Sequence, residues 1–231
     1  EILAFLALHP DGVSVDQLVT AFGGTPNQIR KHITALRDWL GSDPTTGQRY
    51  LPEATQSPAA QARGTSLYQL VGVLVDADLF RRLRLRGEAR GPEGIADLRR
   101  TLDLVDGEPF SGQRDLGWAW LTDSIRIDQH MVCAIVDVAH LVATAALTEG
   151  DLTSARAAVH TALAAAPYED TPQMDLAAIT AAEGDHAAAD RLLFTAVANR
   201  SDDGEGPLDL NPRTAQILDN RHRWKTSDQV A

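Results

Sequence analysis

Hydrophobic and polar positions in the first forty residues fall into three short helical runs separated by turns. Ile2 to Leu8 is almost wholly apolar, and His9-Pro10-Asp11-Gly12 has turn composition. Val15 to Phe22 forms the next run, with Ser14 placed to cap it. Gly23-Gly24 predicts a tight turn. Thr25 then caps a second helix whose first position is Pro26, where a missing N–H costs nothing. On that helix Ile29, Ile33, Leu36 and Leu40 stand at i, i+4, i+7 and i+11, a 3.6-period stripe. Gly41 fits the position just past its end. The opposite side carries Asn27, Lys31 and Thr34, flanked by Gln28, Arg30 and Arg37. From Val13 to Gly41 the pattern is that of a helix-turn-helix. Amides, hydroxyls and cations on its outer helix are the groups that meet base edges and phosphates. Helix pairs used only for packing show the same alternation.

Two β-prone pieces follow the Ser42 to Gly47 loop, Arg49-Tyr50-Leu51-Pro52 and Leu67-Tyr68-Gln69-Leu70. They predict a hairpin, the wing of a winged helix, with a long loop from Glu53 to Arg63. Asp76 to Leu85 returns to helix, with Arg81, Arg82, Arg84 and Arg86 close together. These arginines suit either phosphate contact or a solvated face paired with neighbouring acids. Gly87 to Gly94 has the composition of a linker.

Beyond it the chain reads as helix to Asn199, rich in Ala, Leu and Val. Glu149-Gly150-Asp151 recurs 34 residues later as Glu183-Gly184-Asp185. Each triplet lies between two helical segments, Val132 to Thr148 with Thr153 to Ala166, and Pro172 to Ala182 with His186 to Arg200. A 34-residue helix pair is the tetratricopeptide period. Ile95 to Val105 and Asp115 to Gln129 would supply the neighbours such repeats need. Ser201 to Gly206 is a polar loop, and Pro212 to Asn220 a short closing helix. The expected class is mainly α: a winged helix-turn-helix over 1–86 without N-terminal strands, a linker at 87–94, tetratricopeptide-like repeats over 95–222, and a disordered tail at 223–231.

Composition adjusts this picture. The net charge of −11 is unevenly spread: ten basic and nine acidic residues up to Arg90, eleven and twenty-three from Gly91 on. The first part is near neutral and suits a polyanion better than the acidic second part, which suits proteins or solvent. Cys133 is the single cysteine, so no internal disulfide forms; it fits a reducing compartment and reads as a buried small hydrophobe. No apolar run approaches the roughly 20 residues of a membrane span, and no signal peptide is visible. The start at Glu1, already within a helical pattern, reads as a piece of a longer chain. For this piece a cytoplasmic location is expected, without membrane contact, though the parent chain could be membrane-anchored. Catalytic patterns are absent. Gly23-Gly24 lacks the Gly-Lys-Ser/Thr of a phosphate loop, and Ser111 lacks the flanking glycines of a nucleophile elbow. His130 and His140 have no partners at metal-binding offsets, and His140 reads as a hydrogen-bonded core or groove residue. Trp118 and Trp120 read as core. No catalytic residue, cofactor or metal is expected, and a hydrolase built on helical repeats has no supporting residues.

The order of these features resembles a family. After the winged helix come Val75-Asp76 opening a helix, then Leu102-Asp103-Leu104-Val105-Asp106, Gly107-Glu108-Pro109-Phe110, Trp118-Ala119-Trp120, and Pro207-Leu208-Asp209-Leu210-Asn211-Pro212. This succession is similar to the bacterial transcriptional activator domain proteins, including the Streptomyces antibiotic regulatory protein family. Ile135-Val136-Asp137-Val138-Ala139-His140 further resembles a subgroup in which the module ends a longer chain with a lysin-motif domain and membrane segments. The resemblance implies a transcription regulator of an actinobacterial kind, with a winged helix on promoter DNA and helical repeats that dimerise or contact proteins such as RNA polymerase. Asn27, Gln28, Lys31 and Thr34 would face the major groove, Arg30 and Arg37 would hold phosphate, and Arg49, Arg63 and Thr65 would touch backbone or minor groove. Two departures stand out: the small sheet that precedes the family's first helix is lacking, and Asp38 lies on the outward side of the second helix. The rival expectation is a protein-interaction module of a larger signalling or membrane protein, whose winged helix no longer binds DNA.

Overall fold

The computed structural model describes residues 1–112, 118–121 and 126–198. The chain is mostly helical, and no strand occurs among the described residues. Two units emerge: Glu1–Arg82 with Gly112–Asp128, and Leu83–Ser111 with the chain from Gln129 onward.

The first unit holds α1 (Ile2–Leu8), α2 (Val15–Phe22), α3 (Pro26–Leu40), α4 (Pro58–Arg63) and the start of α5 (Asp76–Arg90). Reciprocal caps set where α2 and α3 begin. The Gln17 N–H donates to Ser14 Oγ at 3.2 Å while the Ser14 N–H donates to Gln17 Oε1 at 2.8 Å. Thr25 and Gln28 repeat the arrangement at the head of α3. Each box satisfies two backbone donors that a helix start would leave unpaired. α2 packs on α3, and Leu18, Ile29, Ile33, Leu51, Val13 and Leu6 are buried. Trp120 comes from a 3-10 turn at Ala119–Leu121 and meets Phe5 edge-on at 5.1 Å between ring centres, joining Phe22 in one aromatic group. A helix was expected over Asp115 to Gln129; of that stretch Trp118–Leu121 is turn, helix begins at Ile127, and 113–117 and 122–125 lie outside the described residues.

The expected hairpin exists only in outline. The Leu67 N–H donates to the Ala54 carbonyl (2.8 Å) and the Val71 N–H to the Tyr50 carbonyl (2.9 Å), an antiparallel register. Pro52, between those two acceptors, has no N–H to give, so no regular ladder forms. Tyr68 instead exchanges both backbone bonds with Val13, and a second isolated bridge joins Ser42 to Arg49. The long loop expected at Glu53 to Arg63 contains α4, whose buried Ser57 hydroxyl donates to the Leu67 carbonyl at 2.8 Å and accepts the Ala60 N–H.

In the second unit, residues 87–94 are not the open linker that their composition suggests. α5 continues to Arg90, a 3-10 turn spans Gly91–Gly94, and α6 (Ile95–Leu102) follows at once. Gly87 and Gly94 are there for space: a Cβ on Gly94 would stand 1.9 Å from the Gly87 carbonyl oxygen. Arg86 grips the buried Asp97 through two bonds of 2.7 Å.

α7 (Ile127–Glu149), α8 (Leu152–Ala165), α9 (Asp170–Ala182) and α10 (His186–Ala198) complete the described helices. The two Glu-Gly-Asp triplets build the same turn. Gly150 and Gly184 both take positive φ, at +75° and +94°, which a side chain would resist. The Asp151 N–H donates back to the Ala146 carbonyl, and the Asp185 N–H to that of Thr180. Each aspartate then caps the next helix, accepting the Ser154 N–H at 3.0 Å and the Ala188 N–H at 2.9 Å. Each glutamate takes an arginine from an earlier helix, Arg99 of α6 for Glu149 and Arg156 of α8 for Glu183. The core is rich in alanine: Ala139, Ala143, Ala146, Ala155, Ala158, Ala162, Ala177 and Ala189 are buried beside larger residues such as Val138, Val142, Val159, Met174 and Ile179. Side chains as small as alanine's let helices approach closely.

Two expectations are corrected on α7. Cys133 is exposed, because the helix turns it away from the side that buries Ile135, Ala139, Val142 and Ala146. By length and composition this 23-residue helix is apolar enough to cross a membrane, which sequence inspection had not anticipated. Its buried residues and the His140 bond to Asp175 on α9 fit equally a core helix.

Acid should loosen the second unit in a defined way. The Arg86 guanidinium holds the Asp97 carboxyl below its ordinary value. A lowered carboxyl stabilises the fold fully above its unfolded pKa, near 4, and loses that contribution as pH falls through the lower folded value. Urea midpoints for the parent chain and Asp97→Asn are therefore expected to differ at pH 7 and to converge as the pH drops below about 4. A gap that stays constant with pH would show that the pair adds no proton-linked stability.

Candidate nucleic-acid interface

α3 is fixed by one side and presents the other. Ile29 and Ile33 are buried, and Leu36 and Leu40 are half-buried. On the reverse, Asn27, Lys31, Thr34 and Asp38 are exposed at i, i+4, i+7 and i+11. At 1.5 Å per residue this straight row is about 16 Å long. Arg30 flanks it and donates from Nη1 to Asn27 Oδ1 at 3.0 Å, while the Thr34 hydroxyl donates to the Arg30 carbonyl at 2.9 Å.

Not every expected contact residue belongs to this surface. Arg37 is 6% exposed and cannot hold phosphate. Its Nε donates to the Leu51 carbonyl at 2.9 Å, its Nη2 to the Pro52 carbonyl at 3.3 Å, and its Nη1 meets Glu53 at 2.8 Å. The helical repeat explains the change: Arg37 follows Ile33 by four residues and lies on the buried side, where two carbonyls of the next segment need donors. Gln28 is exposed, and its side-chain oxygen accepts from the Thr25 N–H and hydroxyl at the cap, so its amide nitrogen is the group left to meet a base.

Arg49 extends the surface beyond α3. It pairs with Asp38 at 3.3 Å, both side chains more than half exposed. Asp43 is turned inward upon its own loop, accepting the Thr45 and Thr46 N–H groups. Arg63 is exposed in the last turn of α4, and Thr65 is exposed just beyond Gly64. Gln69 ties this stretch down, accepting the Ala59 N–H at 2.9 Å and donating to the Pro10 carbonyl at 2.8 Å.

The arginines of α5 fit the solvated, paired alternative. Arg81 and Arg82 both bind Asp78, Arg84 binds Glu88 and Asp137, and Arg86 binds Asp97. The Arg81 and Arg82 guanidiniums hold the Asp78 carboxyl below its ordinary value.

Sequence reasoning missed the Asp38–Arg49 pair, which joins residues eleven apart through the turn at 41–49. It also passed over Trp39, 74% exposed. The signal for Trp39 was present, since it falls outside the Ile29–Leu40 stripe. His140 has the hydrogen bond expected of it, its Nδ1 lying 2.9 Å from both Asp175 oxygens.

Comparison with protein-family models, curated proteins and solved structures finds no match to this chain.

Proposed function

We propose that the chain is a DNA-binding regulatory module of the kind its resemblance to bacterial transcriptional activator domain proteins implies. In this reading α2 and α3 act as a winged helix-turn-helix, with α3 in the major groove of promoter DNA. The helices of the second unit act as tetratricopeptide-like repeats that hold a protein partner such as RNA polymerase or a second copy of the chain. The observation that carries it is the outward row of α3. A helix capped at its start and anchored along one face offers an amide, an ammonium and a hydroxyl in line, with Arg30 and Arg49 at the sides. Spacings of this kind along one helix face suit base edges, and flanking cations suit phosphates.

Titration of labelled random-sequence duplex at low salt tests the proposal. Arg30→Ala, which removes a phosphate contact, is expected to weaken binding several-fold and to reduce the slope of log affinity against log salt by about one, and Lys31→Ala, which removes a groove contact, is expected to weaken binding several-fold. An unchanged affinity in both variants, or no binding by the parent chain at about 50 mM salt, would overturn it.

A second reading has its own support. Arg37 is withdrawn into the core, Arg49 is paired with Asp38, and Trp39 stands exposed on the same helix. These features favour a protein-interaction module that no longer reads DNA. Partner capture that survives Lys31→Ala but not Trp39→Ala would support this alternative.

A further inference from the structure

A carboxylate on a surface meant for DNA needs a reason. Asp38 continues the row of Asn27, Lys31 and Thr34 on the outward side of α3, seven residues beyond Lys31. Its partner Arg49 lies 3.3 Å away, and the pair is exposed enough to part without cost to the core. We propose, resting on the DNA-binding reading, that Asp38 is a specificity-determining residue whose carboxylate accepts a hydrogen bond from the exocyclic amine of a cytosine, while Arg49 turns to the adjacent phosphate.

The chemistry narrows the choice of base. A carboxylate can only accept, and within the major groove the donors are the cytosine N4 and adenine N6 amines. Adenine sets its N7 acceptor beside that amine, which repels a carboxylate, whereas cytosine offers its amine without one. Lys31 has the opposite character: an ammonium only donates, which matches the two acceptors of guanine. Seven residues of helix cover about 10 Å, or roughly three base-pair steps of 3.4 Å. The preferred site therefore holds a guanine opposite Lys31 and a cytosine opposite Asp38, about three base pairs apart. Facing a base that offers no amine, the carboxylate keeps Arg49 as its partner and withholds that cation from the phosphates, so Asp38 also discourages non-specific binding.

Selection from a random duplex library with the parent chain, Asp38→Ala and Asp38→Asn tests this. The parent is expected to select the guanine and the cytosine, and to lose roughly tenfold or more in affinity when the cytosine is replaced. Asp38→Ala should keep the guanine, lose the cytosine preference and bind random duplex more tightly than the parent does. Asp38→Asn should shift the preference at that position to adenine, since an amide both donates to N7 and accepts from N6. All three proteins should melt at the same temperature. If the parent selects sites in which no position responds to either variant, this inference fails while the DNA-binding reading stands. If the parent selects no duplex at all, both fall.

Discussion

Replacing Arg37 with alanine is expected to cost the first unit about 2–4 kcal/mol, and to lower its melting transition by about 10 °C or more. The guanidinium occupies a site enclosed by the chain and donates to two backbone carbonyls, of Leu51 and Pro52, while pairing with Glu53. Leu51 is fully buried, so its carbonyl has no ready access to water once the arginine is gone. Each buried acceptor left without a donor costs about 1–3 kcal/mol, and the lost packing of the arginine stem adds to that. Glu53 is largely exposed and contributes little. Arg37→Lys should recover only part of the loss, because one ammonium cannot reproduce the fork that serves two separate carbonyls. Thermal unfolding followed by circular dichroism measures the effect. A variant that melts like the parent but binds duplex more weakly would return Arg37 to the proposed DNA contact.

Gly94→Ala should be as damaging in the second unit, at about 3 kcal/mol. The added Cβ would lie 1.9 Å from the Gly87 carbonyl oxygen and 2.6 Å from its carbon, so backbone must yield to make room. Overpacking usually costs about 1–3 kcal/mol, and a clash between two backbones belongs at the upper end of that range. The companion substitution separates close approach from general sensitivity. A Cβ on Gly87 meets the buried Leu98 side chain, at 2.6 Å to Cδ2 and 2.8 Å to Cγ, and the Gly94 carbonyl oxygen at 3.1 Å, so the closest neighbour is a side chain rather than backbone. Alanine in the helical position of Gly87 also recovers about 1 kcal/mol of helix propensity. Gly87→Ala is therefore expected to destabilise as well, but by less than Gly94→Ala, about 1–2 kcal/mol. Chemical denaturation of both variants checks the difference. Equal effects at the two glycines would show that the crossing of α5 with the turn before α6 is looser than it stands.

These two sites mark where local pattern stopped being informative. The helices α1, α2 and α3 were legible to the residue, because caps and stripes are local: Ser14, Thr25 and Pro26 announce starts whatever the rest of the chain does. The paired triplets were legible for the same reason, since a glycine at positive φ followed by a capping aspartate needs only its own neighbours. Gly87 to Gly94 misled because glycine has two uses. Composition suggests flexibility, whereas the tertiary structure uses the missing side chain to bring backbones together. Cys133 shows the same limit, for burial depends on which side of a helix its neighbours cover, whereas the membrane-length run of α7 follows from length and composition alone.

The candidate site divides along the same line. The amphipathic character of α3, and with it Lys31, Thr34 and Asn27 on the outer face, follows from a helical period acting on a known residue order, and the sequence determines it alone. The fates of Arg37, Arg49 and Asp38 were decided by tertiary structure, whereas Gln28 is held by the local cap it forms with Thr25. Arg37 is long and cationic wherever it stands, but only the path of residues 51–53 supplies the carbonyls that draw it inward. Asp38 looked like a stray acid on a basic surface until the turn at 41–49 brought Arg49 beside it. A side chain's chemistry is written in the chain, whereas its partners are set by which distant backbone and charges the fold carries within 3 Å or so of it.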